Sequence, residues 1–600
     1  MRNIPYLKAL LEPIPVLIIA LAAACAGVIH AQGRGAAATA EWATSRGDAQ
    51  RTGWLRNDLF ISADRLREPN SAFGLQWKLE LSNQQRQLNS LTPAVTIGGS
   101  GRFPLSAMGG SSDNVFVFDN VSGIELWERH FEIPTLGAGS LPCPGGLTAG
   151  LSRPASLIPR VFVSPPAGVS ASTGSFTGGV GQPGEGIPAE LMRPGQSLPN
   201  GGRTAGPEIL KLLDAVLSVP APPAAPAPGA VAPATGAARV GTGGSAMAAN
   251  PIFVVASDGV LHTLGQYLGK DILKPVPFLP AHAHASDLVV VDNTVYAATR
   301  NGCGGVPDGV WAMDLSQPDI APVSWNTRGG SPAGAPALGS DGTVFVAIGN
   351  GAAGTSRGYS DTVAALDRKS LQIKDWFAEP GADFAASPVI FQYKGMEIVA
   401  AVTRDGRIFL LNSVSLGGAG HQAPLSVSAA VSRGTNDFIP GPLTTWEDAG
   451  GTRWVLEASA RPIPAALGVG STNGAVTNGA ILAYKVAGEA AHLSLQPGWT
   501  SRDMVSPLAP IIVNGVVFAI AGGEFHPAAG ESMPAAERVR RSVPAVVYAL
   551  DGSNGKELWN SGKTVTSFVH SGGLWAAGGQ VYLAAYDNTL YGFGYPMGRH

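Results

Sequence analysis

Cysteine is scarce in this chain. Three residues in 600, at positions 25, 143 and 303, leave no adjacent pair and no C-x-x-C. A thiolate zinc site is thereby excluded, and without C-x-x-C-H so is a covalently attached c-type haem. Charge is sparse too: 14% Asp, Glu, Lys and Arg, a net charge of −3 and no long basic run. Nothing in that balance would hold a nucleic acid or an anionic membrane. The apolar run at 14–29 falls short of the roughly 20 residues that a spanning helix needs. Glycine and proline are abundant, 79 and 47 residues. They suit many short strands joined by turns rather than long solvated helices.

Arg2 and Lys8 precede the apolar run and small residues follow it. Residues 1–31 therefore read as a secretory signal cleaved after Ala31, with a periplasmic or secreted product. The alternative is a lipoprotein. L-A-A-A-C at 21–25 resembles a lipobox with one extra alanine, so a lipid on Cys25 would supply membrane anchoring. Residues 32–70 form an N-terminal extension, and its polar, glycine-punctuated stretch at 41–54 is expected to lie over one face of the fold. Residues 164–249, with P-A-P-P-A-A-P-A-P, form a low-complexity insertion that cannot bury enough apolar surface to offset its chain entropy.

The remainder is repetitive. V-V-Y-A-L-D-G-S-N-G-K-E-L-W at 546–559 alternates as a strand, turns on Asn554-Gly555 and starts a return strand ending in Trp559. Asp551 is placed to accept the free N–H groups of the turn. The same eight-residue separation joins Asp119 to Trp127. Units of four short strands recur, with further tryptophans at Trp325, Trp376 and Trp499 expected to dock between successive sheets. The eighth unit has three strands when the chain stops. Residues 73–81, with Trp77, are a single strand lacking a hairpin partner. Pairing it with the last unit closes a ring and removes an exposed sheet edge. The expectation is an all-β, eight-bladed β-propeller over 71–600, interrupted in its second blade by the insertion.

The pattern V-Y-A-L-D-x-x-x-G-K-x-x-W resembles the quinoprotein propeller repeat. That repeat is shared by the eight-bladed quinoprotein dehydrogenases and by outer-membrane assembly lipoproteins of the BamB type. The dehydrogenase resemblance implies pyrroloquinoline quinone (PQQ) and calcium as cofactors, a vicinal disulfide and an aspartate base. This chain has no Cys-Cys pair and no fused haem domain. The BamB resemblance implies a non-catalytic binding or scaffolding module. The first expectation is therefore an exported PQQ-like repeat protein without chemistry of its own. The alternative is a PQQ- and calcium-dependent dehydrogenase passing electrons to an external acceptor, and the third is a carbohydrate- or peptide-binding propeller with another activity.

Blade-joining loops and loops between second and third strands share one face of a propeller, where a protein or small-molecule ligand would sit over the channel. Cys143 and Cys303 fall there in adjacent blades, as a disulfide or as two separate thiols. His570 opens an inner strand and is the leading ligand-contact candidate. Glu524, His526 and Arg404 belong to the same face. Arg502 and Asp503 read first as a local ion pair. His282 and His284, with Asp287, are a candidate metal set whose bland reading is solvated loop histidines. P-A-A-E-R-V-R-R at 534–541 reads as a short helix in an enlarged loop, a surface decoration or a lid.

Overall fold

Alternating valine, alanine and aromatic residues give strands buried on both faces, such as Asn114–Asp119 and Val546–Asp551. The computed structural model describes residues 42–596, except 158–249 and short stretches at 57, 87, 99–103, 133–142, 144, 318, 320, 351–357, 432–435, 465–466, 470–472, 490–491 and 571–572. The proposed leader and low-complexity insertion lie outside the described residues. Among the described residues, the only α-helices are Ala63–Arg67 and Ala535–Arg541.

The strands form eight separate sheets in sequence order, the blades of a propeller. Blade 1 comprises Val95–Ile97, Leu105–Gly110, Asn114–Asp119 and Glu125–His130. Blade 2 has Ile252–Val255, Val260–Leu264 and Val276–Pro277, with Ser152 bridged to Phe253 where an innermost strand would stand. Blades 3 to 6 begin with Val289–Val291, Ala337–Leu338, Val389–Tyr393 and Thr444–Glu447, each the first of four strands. Blade 7 comprises Pro507–Val513, Val516–Ala521, Val546–Asp551 and Glu557–Asn560. Blade 8 takes Leu574–Ala577, Gln580–Ala584 and Thr589–Gly594 from the C-terminus, and its outer strand, Gly74–Glu80, pairs antiparallel with Thr589–Gly594.

Three tryptophans seat on the turn of the following blade. Trp77 donates its indole N–H to the Asn120 carbonyl at 2.8 Å, Trp127 to Gln266 at 2.8 Å, and Trp499 to Gly552 at 2.9 Å. Each indole lies against a glycine of positive φ, namely Gly123, Gly269 and Gly555, where an added Cβ would sit 2.4–2.7 Å from the ring. The other three expected docks fail. Trp325, Trp376 and Trp559 are only half-buried. The position four residues beyond Asp367 is Leu371, also at positive φ (53°), and the same offset from Asn412 is Leu416. A leucine side chain fills the space that glycine leaves for an indole. Trp376 instead stacks on His421 at 3.6 Å. Trp559 faces a blade whose third and outer strands are not contiguous in the chain, and meets Phe73 and Phe593 edge-on.

The N-terminal extension does not lie over a face. It runs around the inner wall of the channel and meets the blades in their own order. Trp42 exchanges hydrogen bonds with Thr96 of blade 1 at 2.9 and 2.8 Å. The Ala43 carbonyl accepts Arg153 N of blade 2, and the Thr44 hydroxyl donates to Leu288 O, which leads into blade 3. The carbonyls of Ala49, Gln50, Thr52 and Gly53 then accept Leu338, Ile390, Thr445 and Ile512 N–H of blades 4, 5, 6 and 7, at 2.8–3.0 Å. Trp54–Leu55 pairs parallel with the first strand of blade 7, and the Asp58 carboxylate accepts Gly579 N–H of blade 8 at 2.8 Å. The inner strands would otherwise present unpaired N–H groups to the channel, each costing about 1–3 kcal/mol if buried without a partner. The segment is thus a hub. Trp42, Thr44, Ala49 and Arg51 in it are 0–1% exposed.

Candidate functional site

Three of the ligand-contact candidates come together at the loop face of blades 6 to 8. Glu524 lies in the long loop between the second and third strands of blade 7. Gly523, at φ 75°, lets the chain turn there, since a side chain would strike the Val543 carbonyl. The Ser506 hydroxyl fixes the Glu524 carbonyl at 2.6 Å. The Glu524 carboxylate is buried, 4% exposed, and faces His570 Nδ1 at 2.7 Å. It also accepts Arg538 Nη2 at 2.5 Å and lies 4.0 Å from His526 Nε2. Arg538 comes from the helix Ala535–Arg541, and its Nη1 reaches Asp437 at 3.0 Å. Asp437, from the loop joining blades 5 and 6, also meets His526 Nδ1 at 2.9 Å. A backbone bond from Asp437 N–H to Pro527 O ties the two loops together.

Two carboxylates against one guanidinium leave this cluster one negative charge when both imidazoles are neutral. Burial alone would raise the Glu524 pKa. The His570 hydrogen bond and the charges of His570, His526 and Arg538 outweigh it and hold the group below the usual carboxylate range. His570 is half-buried, and its Nε2 has no protein partner among the described residues. Glu524 therefore orients an imidazole whose second nitrogen is open to exchange a hydrogen bond with a ligand. Asp437 and Arg538 were not singled out in the sequence. The signal for Arg538 was a short arginine-rich helix inside an enlarged loop; Asp437 carried none.

The remaining candidates are spent elsewhere. Arg502 and Asp503 are not a pair: Arg502 bridges to Glu557 at 2.8 Å, while Asp503 accepts the backbone N–H groups of Thr477 and Asn478. Those bonds outweigh its burial and lower Asp503 to about 2. Arg404 is paired with Asp383 at 2.6 Å. His282, His284 and Asp287 do not form a metal site. Arg300 and Asn301 face the two ring nitrogens of His284 at 3.2 Å, and Asp287 accepts Gly150 N–H. Burial and the Arg300 charge push His284 down to about 3. Among the described residues no group of three or more His, Cys, Asp or Glu side chains is placed to hold a metal. Cys143 and Cys303 are joined as a disulfide, across 160 residues of chain. Asp119 and Asp551 are turn residues, each accepting the N–H and hydroxyl of the serine that follows.

Solved structures share this arrangement. The quinohemoprotein alcohol dehydrogenase from Comamonas testosteroni superposes with a TM-score of 0.52 at 12% identity, over 95% of this chain and 82% of that chain. The quinohemoprotein alcohol dehydrogenase ADHIIG from Pseudomonas putida HK5 gives 0.53 at 10% identity, over 94% and 81%. A europium-containing methanol dehydrogenase gives 0.52 at 10% identity, over 93% and 98%. The fold is that of the quinoprotein propellers. No family model matches the chain, and no curated protein does. Identities this low establish the quinoprotein-type fold and leave the activity to the residues themselves.

Among its described residues this quinoprotein-type propeller has no helix long and apolar enough to cross a membrane. A PQQ site would need free cationic groups for three carboxylates, oxygen ligands for calcium and a flat slot. Here Arg404, Arg502 and Arg538 are each paired with a carboxylate. The cysteines that could flank a quinone are a long-range disulfide instead of a vicinal one. The candidate residues do not fit the cofactor.

Proposed function

We propose that this protein is an exported, PQQ-like repeat propeller that binds a partner at the loop face of blades 6 to 8 and carries no chemistry of its own. The observation that supports this reading is the hub. A channel wall already occupied by residues 42–56 and 58 leaves the loop face for recognition. There His570 Nε2 is the open contact, with Glu524, His526, Arg538 and Asp437 as its fixed surround. The partner is a protein or a small molecule able to exchange a hydrogen bond with an imidazole. Export rests on the leader read in residues 1–31, with lipidation of Cys25 as the route to a membrane; fractionation of a Cys25→Ser variant separates the two.

A second reading, a PQQ- and calcium-dependent dehydrogenase, draws on the fold likeness over 93–95% of the chain. One experiment decides between them. The folded protein is titrated with PQQ in the presence of calcium, followed by its melting temperature and by dye reduction with alcohols or sugars. The binding-module reading expects no saturable shift and no dye reduction. A saturable shift accompanied by dye reduction replaces it with the enzyme.

A further inference from the structure

The strand Arg453–Ser459 of blade 6 reads R-W-V-L-E-A-S, and Glu457 is buried in it along with every other residue of the strand. Residues two apart on a strand share a face. Val455, Glu457 and Ser459 therefore point the same way, and Tyr484, directly opposite Val455 on the next strand, joins them. Val455 and Tyr484 belong to the apolar cluster shared with blade 5, so this face is the seam between blades 5 and 6. On the far side of the seam, an added Cβ on Gly406 would lie 2.7 Å from Glu457 Oε1.

Three oxygens in this seam have no protein hydrogen-bond partner, both carboxylate oxygens of Glu457 and the Ser459 hydroxyl, and the Tyr484 hydroxyl beside them has only the Ser428 side chain. Glu457 and Tyr484 are 1% exposed and Ser459 is 3%. Buried polar atoms are nearly always paired, so three partnerless oxygens on one face are free to ligate. Glu457 makes no ion pair among the described residues. Arg407, which follows Gly406 in the chain, is held by Asp405 at 2.9 Å and lies 3.8 Å from Glu379. A buried carboxylate without a counter-charge costs several kcal/mol. Tyr484 and Ser459 are neutral oxygen donors of the kind that complete the shell of a hard cation.

We propose that the seam between blades 5 and 6 binds a hard, oxygen-seeking cation, sodium or calcium, on the Glu457 carboxylate, with the Tyr484 and Ser459 hydroxyls in its shell. The ion fastens two neighbouring blades across their interface. Burial and the Asp405 charge push Glu457 well above the usual carboxylate range. The site is independent of the partner proposed for the loop face.

The test is thermal melting of the full chain, stripped of metal and exchanged into N-methylglucamine chloride, with sodium or calcium added at constant ionic strength. A saturable rise in Tm with one of the two ions is expected. That rise is lost in Glu457→Gln and reduced in Tyr484→Phe. Metal analysis of the wild-type protein after dialysis against the effective ion gives one retained ion per chain, and terbium emission sensitised by Tyr484 reports the site directly. Absence of any ion response and of any retained ion overturns the proposal in favour of a neutral acid with solvent. An equal response in Glu457→Gln also overturns it, because the ion then binds elsewhere, the loop face included.

Discussion

At the scale of single residues, a side chain succeeds or fails according to the space left by one neighbour. Gly555 and Gly381 both hold positive φ, 73° and 78°. Only Gly555 lies under an indole; nothing stands within 4 Å of a Cβ on Gly381. Gly381→Ala is expected to cost about 1 kcal/mol from backbone strain alone. Gly555→Ala should cost about 1–3 kcal/mol more from overpacking against Trp499. Urea denaturation of the two variants checks the difference, and equal losses would mean that the indole is not seated there. His284 gives a second prediction. Its folded pKa is about 3 against an ordinary 6.5, so the unfolded chain binds the extra proton between those values. Stability then falls as pH drops below about 6.5, and His284→Gln flattens that slope in melting curves taken from pH 7 to pH 4. An unchanged slope would mean that the His284 environment is not the one described.

At the scale of elements, the short helix Ala535–Arg541 buries nothing of its own, yet it delivers Arg538 between two carboxylates. Arg538→Ala leaves the buried Glu524 charge beside Asp437 without its guanidinium. It is expected to destabilise the protein by about 3 kcal/mol, as breaking a buried pair does, measured by denaturant titration at neutral pH. A loss below about 1 kcal/mol would make the contact a surface ion pair. The elements differ in how plainly the sequence announced them. The blades were legible because alternation, an Asp-to-Trp spacing and turn glycines repeat. The hub was not legible. Residues 42–53 bind through carbonyls, small side chains and the guanidinium groups of Arg46 and Arg51, which leave no periodic apolar pattern, so a polar glycine-punctuated run reads as surface loop. Glu524, His526 and His570 could be found as residue types on a shared face. Their convergence with Asp437 depends on loops from separate blades, which sequence spacing does not encode. Glu457 did leave a trace, a lone carboxylate among the mainly apolar residues of a strand.

At the scale of the whole molecule, three ties gather the wheel: the Gly74–Glu80 strand in blade 8, the Cys143–Cys303 disulfide between blades 2 and 3, and the hub. The disulfide closes a loop of 160 residues that includes the low-complexity insertion. By loop-closure entropy, the Cys143→Ser/Cys303→Ser variant should lose up to about 5 kcal/mol. A loss near zero would mean that the unfolded chain gains little freedom when the bond is absent. The hub carries the larger claim, since the proposed recognition at the loop face rests on a channel wall lined by residues 42–56 and 58. Native-state hydrogen exchange on the full chain tests it most directly. The account predicts that the amides of Ala43, Gly47, Arg51 and Gly53, which are hydrogen-bonded within the hub, exchange as slowly as those of the central strand Asn114–Asp119. Exchange of residues 42–53 at the rate of an unstructured peptide, while the blades stay protected, would contradict it.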